Sequence, residues 1–316
     1  MEPLSTPDAL RVDVSDVAPP GCKELALQVI TPAGTPQAIL VCFPGGGMTR
    51  GYFDLAAPGY SFAGYASRRG FLVVLVDHPG TGDSDAPDDG WTLTPMVVAS
   101  IEAAAVDRAL AQLSLPVPVI GVGHSMGAHL LIHQQVMTKA FDGLALLGWG
   151  GRGLPQYLDA DDRELGQLDA TDPDAFTARL VASAQRRFPG PLPRGRGGGA
   201  QFLVKNPLTQ EVRQSLAAAY GPLLAVCGHA SMIPGSARRA AAAVDVPVFL
   251  GVGEHDIATE HRLIPGEFPA SGDVTLYVLP GAGHNHNVEP GREQLWDRVT
   301  SWAGQLARRK CEYGRP

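Results

Sequence analysis

The sequence predicts an α/β fold built on a mostly parallel central sheet covered by helices on both faces. Three observations carry that expectation. Short runs of Val, Ile and Leu occur without polar alternation, which suits strands buried on both faces. Stretches of helical length separate them, so strand and helix alternate along the first half of the chain. Proline, glycine or an acidic residue closes most of these runs, as turns at strand ends require.

The elements follow in order. Residues 24–30 read as a strand, with residues 31–34 (Thr-Pro-Ala-Gly) as the turn after it. Ala38–Phe43 (AILVCF) ends at Pro44 and three glycines, and Phe71–Val76 (FLVVLV) ends at Asp77. Residues 117–122 end at Gly123, and Gly143–Leu147 ends at Gly148. The Ala-rich segment Pro95–Leu113 reads as a helix, with Thr94 as its cap and Pro116 closing it. A second helix, residues 125–138, follows the third of these runs directly.

After Trp149 the rhythm stops. Residues 150–244 contain no buried strand run. They offer an acidic turn at 159–164, helices over 173–187 and 210–219, a Pro-, Gly- and Arg-rich loop over 189–199 expected to be mobile, and a short helix at 240–243. The rhythm resumes with strands over 246–252 and 274–279 and a final helix near 290–306. One sheet interrupted by a helical insertion accounts for this order. The expected division is a core of residues 1–149 and 245–316, with a cap of residues 150–244.

Composition removes several function classes. The 316-residue chain carries a formal charge of -7 and no Lys/Arg-rich block, which argues against nucleic acid as a partner. The run Arg308, Arg309, Lys310 is expected only to solvate a helix end. Cys22, Cys42, Cys227 and Cys311 are widely spaced and imply no disulfide framework, and Cys42 reads as a small buried residue. The N-terminus has neither the basic start nor the apolar stretch of a signal peptide. No apolar run approaches the ~20 residues of a membrane span. The expectation is a cytoplasmic protein that acts on a small molecule without metal or organic cofactor.

Gly123-His124-Ser125-Met126-Gly127 is a GxSxG pattern. In a chain with 38 glycines the pattern alone decides nothing. Its context does, because Ser125 follows a buried strand and opens a helix. Glycines two residues to either side remove the Cβ atoms that would clash in a sharp strand-to-helix turn. The serine oxygen then sits at a helix N-terminus, where the helix dipole favours negative charge.

Here the chain resembles the α/β-hydrolase fold superfamily, and the resemblance spans nearly the whole sequence. Asp77-His78-Pro79-Gly80-Thr81-Gly82-Asp83-Ser84 is similar to that superfamily's D-x-x-G-x-G-x-S loop. Phe43-Pro44-Gly45-Gly46-Gly47 resembles its oxyanion loop, with Pro44 where His often precedes the glycine. The resemblance implies an α/β-hydrolase fold with a helical cap that contacts the substrate.

A serine hydroxyl needs a general base, and the base an orienting acceptor. In this fold the order is Ser, acid, His. Asp256 follows the strand over 246–252, with Glu254 as the competing carboxylate. His284, in Gly281-Ala282-Gly283-His284, follows the last strand, with His286 as the competing base. His129 and His133 stand one helical turn apart, but without an HExxH glutamate they read as a packed or solvated helix face. His124 reads as a structural occupant of the motif. Oxyanion donors are expected at Met126 and at Gly46 or a neighbour in the 45–47 loop. Trp149 and Gly47 are candidate pocket residues.

The expected function is hydrolysis of a carboxylic ester, lactone or thioester through an acyl-enzyme on Ser125. Two alternatives use the same scaffold: hydrolysis of a carbon–carbon bond in a diketone by the same triad, and a non-catalytic ligand-binding protein. Serine at position 125 argues against the aspartate-nucleophile chemistries of the superfamily, dehalogenation and epoxide hydrolysis.

Overall fold

The structure, a computed structural model, describes residues 8–194, 203–258 and 260–313. Eight strands form one sheet: β1 (Asp8–Asp13), β2 (Glu24–Ile30), β3 (Ala38–Phe43), β4 (Phe71–Val76), β5 (Val119–His124), β6 (Gly143–Leu147), β7 (Val248–Gly253) and β8 (Val274–Leu279). Their spatial order is β1-β2-β4-β3-β5-β6-β7-β8. β2 pairs antiparallel with both β1 and β4, and every pairing from β4 through β8 is parallel. The sheet is therefore mostly parallel, as expected.

Successive residues of the central strands feed two separate cores. Val41, Phe43, Val74 and Val76 point to the face covered by α2 (Pro95–Leu113) and α3 (Met126–Thr138). Leu40, Cys42, Val73 and Leu75 point to the face covered by α1 (Phe62–Ser67) and α10 (Arg292–Tyr313). This two-sided burial is why the runs show no polar alternation. Each fully buried Val, Leu or Ile contributes about 1.5–3 kcal/mol.

α2 starts and stops where its sequence dictates. The Thr94 side chain accepts from Val97 N–H, Pro95 opens the first turn, and Ser114 ends the helix in the left-handed conformation. The strands near prolines begin later than the apolar runs suggest. β5 starts at Val119 and β7 at Val248, because Pro118 and Pro247 have no N–H to give the ladder.

Between β6 and β7 the described residues form helices and one isolated bridge partner pair within the segment, Arg194 with Pro222. The helices are α4 (Ala160–Leu165), α5 (Leu168–Thr171), α6 (Pro173–Arg187), α7 (Gln210–Ala218), α8 (Ala225–Met232) and α9 (Arg238–Ala242). Leu158, Leu165, Phe176, Leu180, Val226 and Ile233 give them a small core of their own.

Several elements differ from expectation. The expected turn over 159–164 is mostly the helix α4: Asp159 caps it by accepting from Asp162 N–H, and acidic residues suit a first turn. β1, α1 and α8 lacked a readable sequence signal. The last helix runs on to Tyr313. The basic run in it is not merely solvated, since Lys310 binds Asp142 at 2.6 Å and Arg309 binds Asp273 at 3.1 Å. Of the 189–199 loop, residues 195–199 lie outside the described residues. No described helix is long and apolar enough to cross a membrane.

Candidate active site

The parallel strands bring their C-terminal ends to one edge, where ligands of open α/β sheets bind. The β3–β5 register pairs Phe43 with Gly123, so the 44–47 loop and Ser125 emerge side by side. Ser125 sits between β5 and α3 with φ 53° and ψ -117°, one of the few described non-glycine residues with positive φ. Its N–H donates to the Leu147 carbonyl at 2.8 Å, which ties the turn to the end of β6. Gly127 packs against the Phe43 and Pro44 carbonyls so closely that a Cβ there would overlap them.

Ser125, His284 and Asp256 come together in one line. His284 Nε2 lies 2.9 Å from Ser125 Oγ, and His284 Nδ1 lies 2.7 Å from Asp256 Oδ1. Asp256 is buried and also accepts from Ala258 N–H at 3.1 Å and Gly253 N–H at 3.3 Å. Burial alone would raise its pKa. His284 and His286 outweigh burial and hold the carboxyl well below the usual carboxylate range.

The competing residues fall elsewhere. Glu254 is exposed and accepts from Gly281 N–H at 2.8 Å. His286 does not reach Ser125; its Nε2 donates to Asp256 Oδ2 at 3.0 Å. The histidine loop is held by buried Glu289, which accepts from Gly283 N–H at 2.9 Å and Lys205 N–H at 2.7 Å.

His124 is buried beneath the site. Its Nε2 donates to the His284 carbonyl at 2.9 Å, and its ring stacks on Tyr52 with centroids 4.7 Å apart. Burial, with His284 and His286 nearby, pushes its pKa well below the ordinary value, so it stays neutral. A Cβ at Gly45 would lie 2.7 Å from His124 Nδ1, which explains glycine there. His129 and His133 are buried with ring centroids 5.0 Å apart, and no described group of three or more His, Cys, Asp or Glu residues could hold a metal ion.

The cleft beside Ser125 measures about 40 Å³. Trp149, Gly150, Leu154, Ser231, Ile257 and Ala258 help line it, and Gly47 does not. Met126 is buried at the first position of α3, and Gly46 packs close to it. Leu154 and Ser231 had no sequence signal, because they reach the cleft from helical and loop segments between β6 and β7. A larger cavity of about 540 Å³ lies near the other end of α3, lined in part by His133, Phe176 and Arg239. Ser236 and His133 both line it, but the Ser236 hydroxyl donates to the Ala230 carbonyl at 2.7 Å, and the hydroxyl–imidazole contact at 2.9 Å lies in the smaller cleft, between Ser125 and His284.

A profile described as the alpha/beta hydrolase family matches residues 40–294. This chain belongs to the alpha/beta hydrolase family. The hydrolase is also similar in fold to solved structures. A lipase in its open form aligns with a TM-score of 0.65 at 19% identity, covering 96% of this chain and 99% of that one. A monoacylglycerol lipase of Paleococcus ferrophilus aligns with a TM-score of 0.63 at 20% identity, covering 90% and 99%. A thermophilic esterase from Thermogutta terrifontis aligns with a TM-score of 0.59 at 17% identity, covering 95% and 99%. Comparison with curated proteins gave no match.

Proposed function

We propose that this hydrolase cleaves carboxylic esters of short acyl chains through a covalent acyl intermediate on Ser125. The observation that carries the reading is the unbroken hydrogen-bond line from Ser125 Oγ through His284 to Asp256, at 2.9 and 2.7 Å. The lipases and the esterase among the structural neighbours lend support to an ester substrate.

The chemistry follows from the donors and acceptors. His284 Nε2 takes the Ser125 proton as Oγ attacks the carbonyl carbon. Asp256 accepts from Nδ1–H, fixes the tautomer and stabilises the imidazolium. The carbonyl oxygen becomes negative and is met by Met126 N–H at the start of α3 and by Gly46 N–H. His284 returns the proton to the leaving alcohol, and the acyl group stays on Oγ. Water, deprotonated by His284, then releases the acid and restores Ser125. The described part of residues 150–244 acts as a cap at this cleft, contributing Leu154 and Ser231 to its wall.

The small volume beside Ser125, in a cleft that opens to solvent, is what favours a short acyl group in this reading. A volume of about 40 Å³ holds roughly three water molecules. Sites for drug-sized ligands measure roughly 300–1,000 Å³. A short acyl group such as acetyl is therefore the substrate chosen for the test.

The test compares wild type with Ser125→Ala on p-nitrophenyl acetate and with a fluorophosphonate probe. Wild type is expected to turn over the ester and to be labelled at Ser125. The variant is expected to lose roughly 10⁴-fold or more in kcat while remaining folded. Folded wild type that neither labels nor hydrolyses the ester defeats the reading.

A further inference from the structure

Pro44 stands at the start of the loop beside Ser125, and proline has no N–H. The 44–47 loop therefore has one fewer donor with which to anchor itself. Its carbonyls provide the anchors. Gly45 O accepts from Met48 N–H at 3.2 Å, and Gly47 O accepts from Gly221 N–H at 2.9 Å. Pro44 O accepts from His78 Nε2 at 2.8 Å.

His78 lies two residues beyond β4 and is fully buried. Its Nδ1 meets a carboxylate oxygen of Glu102, a fully buried residue on α2. The second Glu102 oxygen accepts from Gln134 Nε2 on α3 at 2.6 Å. A carbonyl oxygen can only accept, so Nε2 carries a hydrogen. A lone buried carboxylate would be costly, so the ring serves Glu102 as counter-ion through Nδ1. Burial opposes the charge on the ring, yet Glu102 raises the His78 pKa above its ordinary value. The pair thus links α2, α3 and the end of β4 to one backbone oxygen of the loop.

We propose that His78 is a positioning residue for the oxyanion-binding amides: its bond to Pro44 O fixes the Pro44–Gly45 peptide plane and, through it, the direction of Gly46 N–H. The inference rests on the ester-hydrolase reading above. Gly127 closes the other side of the same peptide, because its missing side chain lets the Phe43 and Pro44 carbonyls rest on α3. The plane is held between His78 and Gly127, and a rotation there would turn the following amide away from the substrate oxygen. A buried ion pair that only fastened α2 to the sheet would need no contact with this loop.

The experiment uses two variants and a small alkyl trifluoromethyl ketone. That probe forms a bond from Ser125 Oγ to its carbonyl carbon, places the displaced electron pair on oxygen as an oxyanion, and passes the serine proton to His284. The triple variant His78→Phe/Glu102→Leu/Gln134→Leu removes the loop bond without stranding a buried charge, and such apolar replacements are often neutral in stability. It is expected to lower kcat per fluorophosphonate-titrated site roughly 10- to 100-fold and to weaken the ketone by the same factor, with KM for p-nitrophenyl acetate little changed. Glu102→Gln is the conservative control. Its amide can donate to Nδ1 of a neutral His78, which keeps Nε2–H on Pro44 O, so it is expected to lose no more than a few-fold in either readout. Wild-type kcat and ketone affinity in the triple variant would overturn the proposal. So would a Glu102→Gln loss as large as that expected of the triple variant, which decides the matter even if the triple variant does not fold. Wild type inert to both ester and ketone defeats the ester reading and this one with it.

Discussion

His286 donates its Nε2–H to the oxygen of Asp256 that His284 leaves unused, at 3.0 Å. The carboxylate therefore stands between two imidazoles, and both contribute to its low pKa. A hydrogen bond to a charged group is worth about 1.5–3 kcal/mol. His286→Leu leaves Asp256 with His284 and two backbone donors, so the carboxylate survives but gains freedom to rotate. We expect kcat on p-nitrophenyl acetate to fall roughly 10- to 100-fold with the Ser125 probe still reacting. Steady-state kinetics with active-site titration checks this, and an unchanged kcat would remove His286 from the positioning of Asp256.

Gly148 links the end of β6 to the imidazole. It adopts φ +62°, and a Cβ there would lie 2.9 Å from His284 Cε1. Gly148→Ala adds backbone strain of about 1–2 kcal/mol and pushes the base away from Ser125. The expected result is a melting temperature lower by a few degrees and a kcat reduced at least roughly 10-fold, since small misplacements of reacting groups are costly. Calorimetry and kinetics on the same preparation measure both effects.

Much of this was legible in the sequence, for physical reasons. Strands buried on both faces must be continuous apolar runs, so β3, β4 and β6 could be placed almost to the residue, and half-buried β8 at the sheet edge was marked by its Val, Leu and Tyr. The elbow at Ser125 and the loop at His284 need glycine at fixed spacing, and glycine marks them. The contact of His286 with Asp256 was not legible, because neighbouring histidines at 284 and 286 differ only in which way the loop turns them. Nor was the His78–Glu102 pair, whose members sit 24 positions apart and meet only when α2 packs on the sheet. Leu154 and Ser231 were hidden because the helices near them pack around a small core with no regular strand rhythm.

The acyl chain length is the direct test of cleft size. Among p-nitrophenyl esters, acetate and propionate are expected to exceed octanoate in kcat/KM by roughly 10-fold or more, as a cleft for a few heavy atoms implies. Leu154 forms part of the wall, so Leu154→Ala is expected to shift the preference toward butyrate and hexanoate. A wild-type optimum at octanoate would contradict the short-acyl assignment while leaving the serine chemistry intact.

Acid stability follows from histidines that fold in neutral form. His133 is buried on α3 beside His129, and burial together with nearby Arg239 lowers its pKa from 6.5 to about 4. Burial and His133 lower His129 in the same direction. The folded pKa lies below the unfolded one, so the unfolded chain takes up protons first as pH falls. The contribution to stability is complete above pH 6.5, declines between 6.5 and 4, and does not change further below that for His133. For His133 alone the decline is on the order of 3 kcal/mol. His133→Phe keeps a ring against His129 but cannot take a proton. Urea midpoints measured from pH 7.5 to 4.5 are expected to fall less steeply for the variant than for wild type. Parallel curves would mean that His133 is not a source of the acid sensitivity.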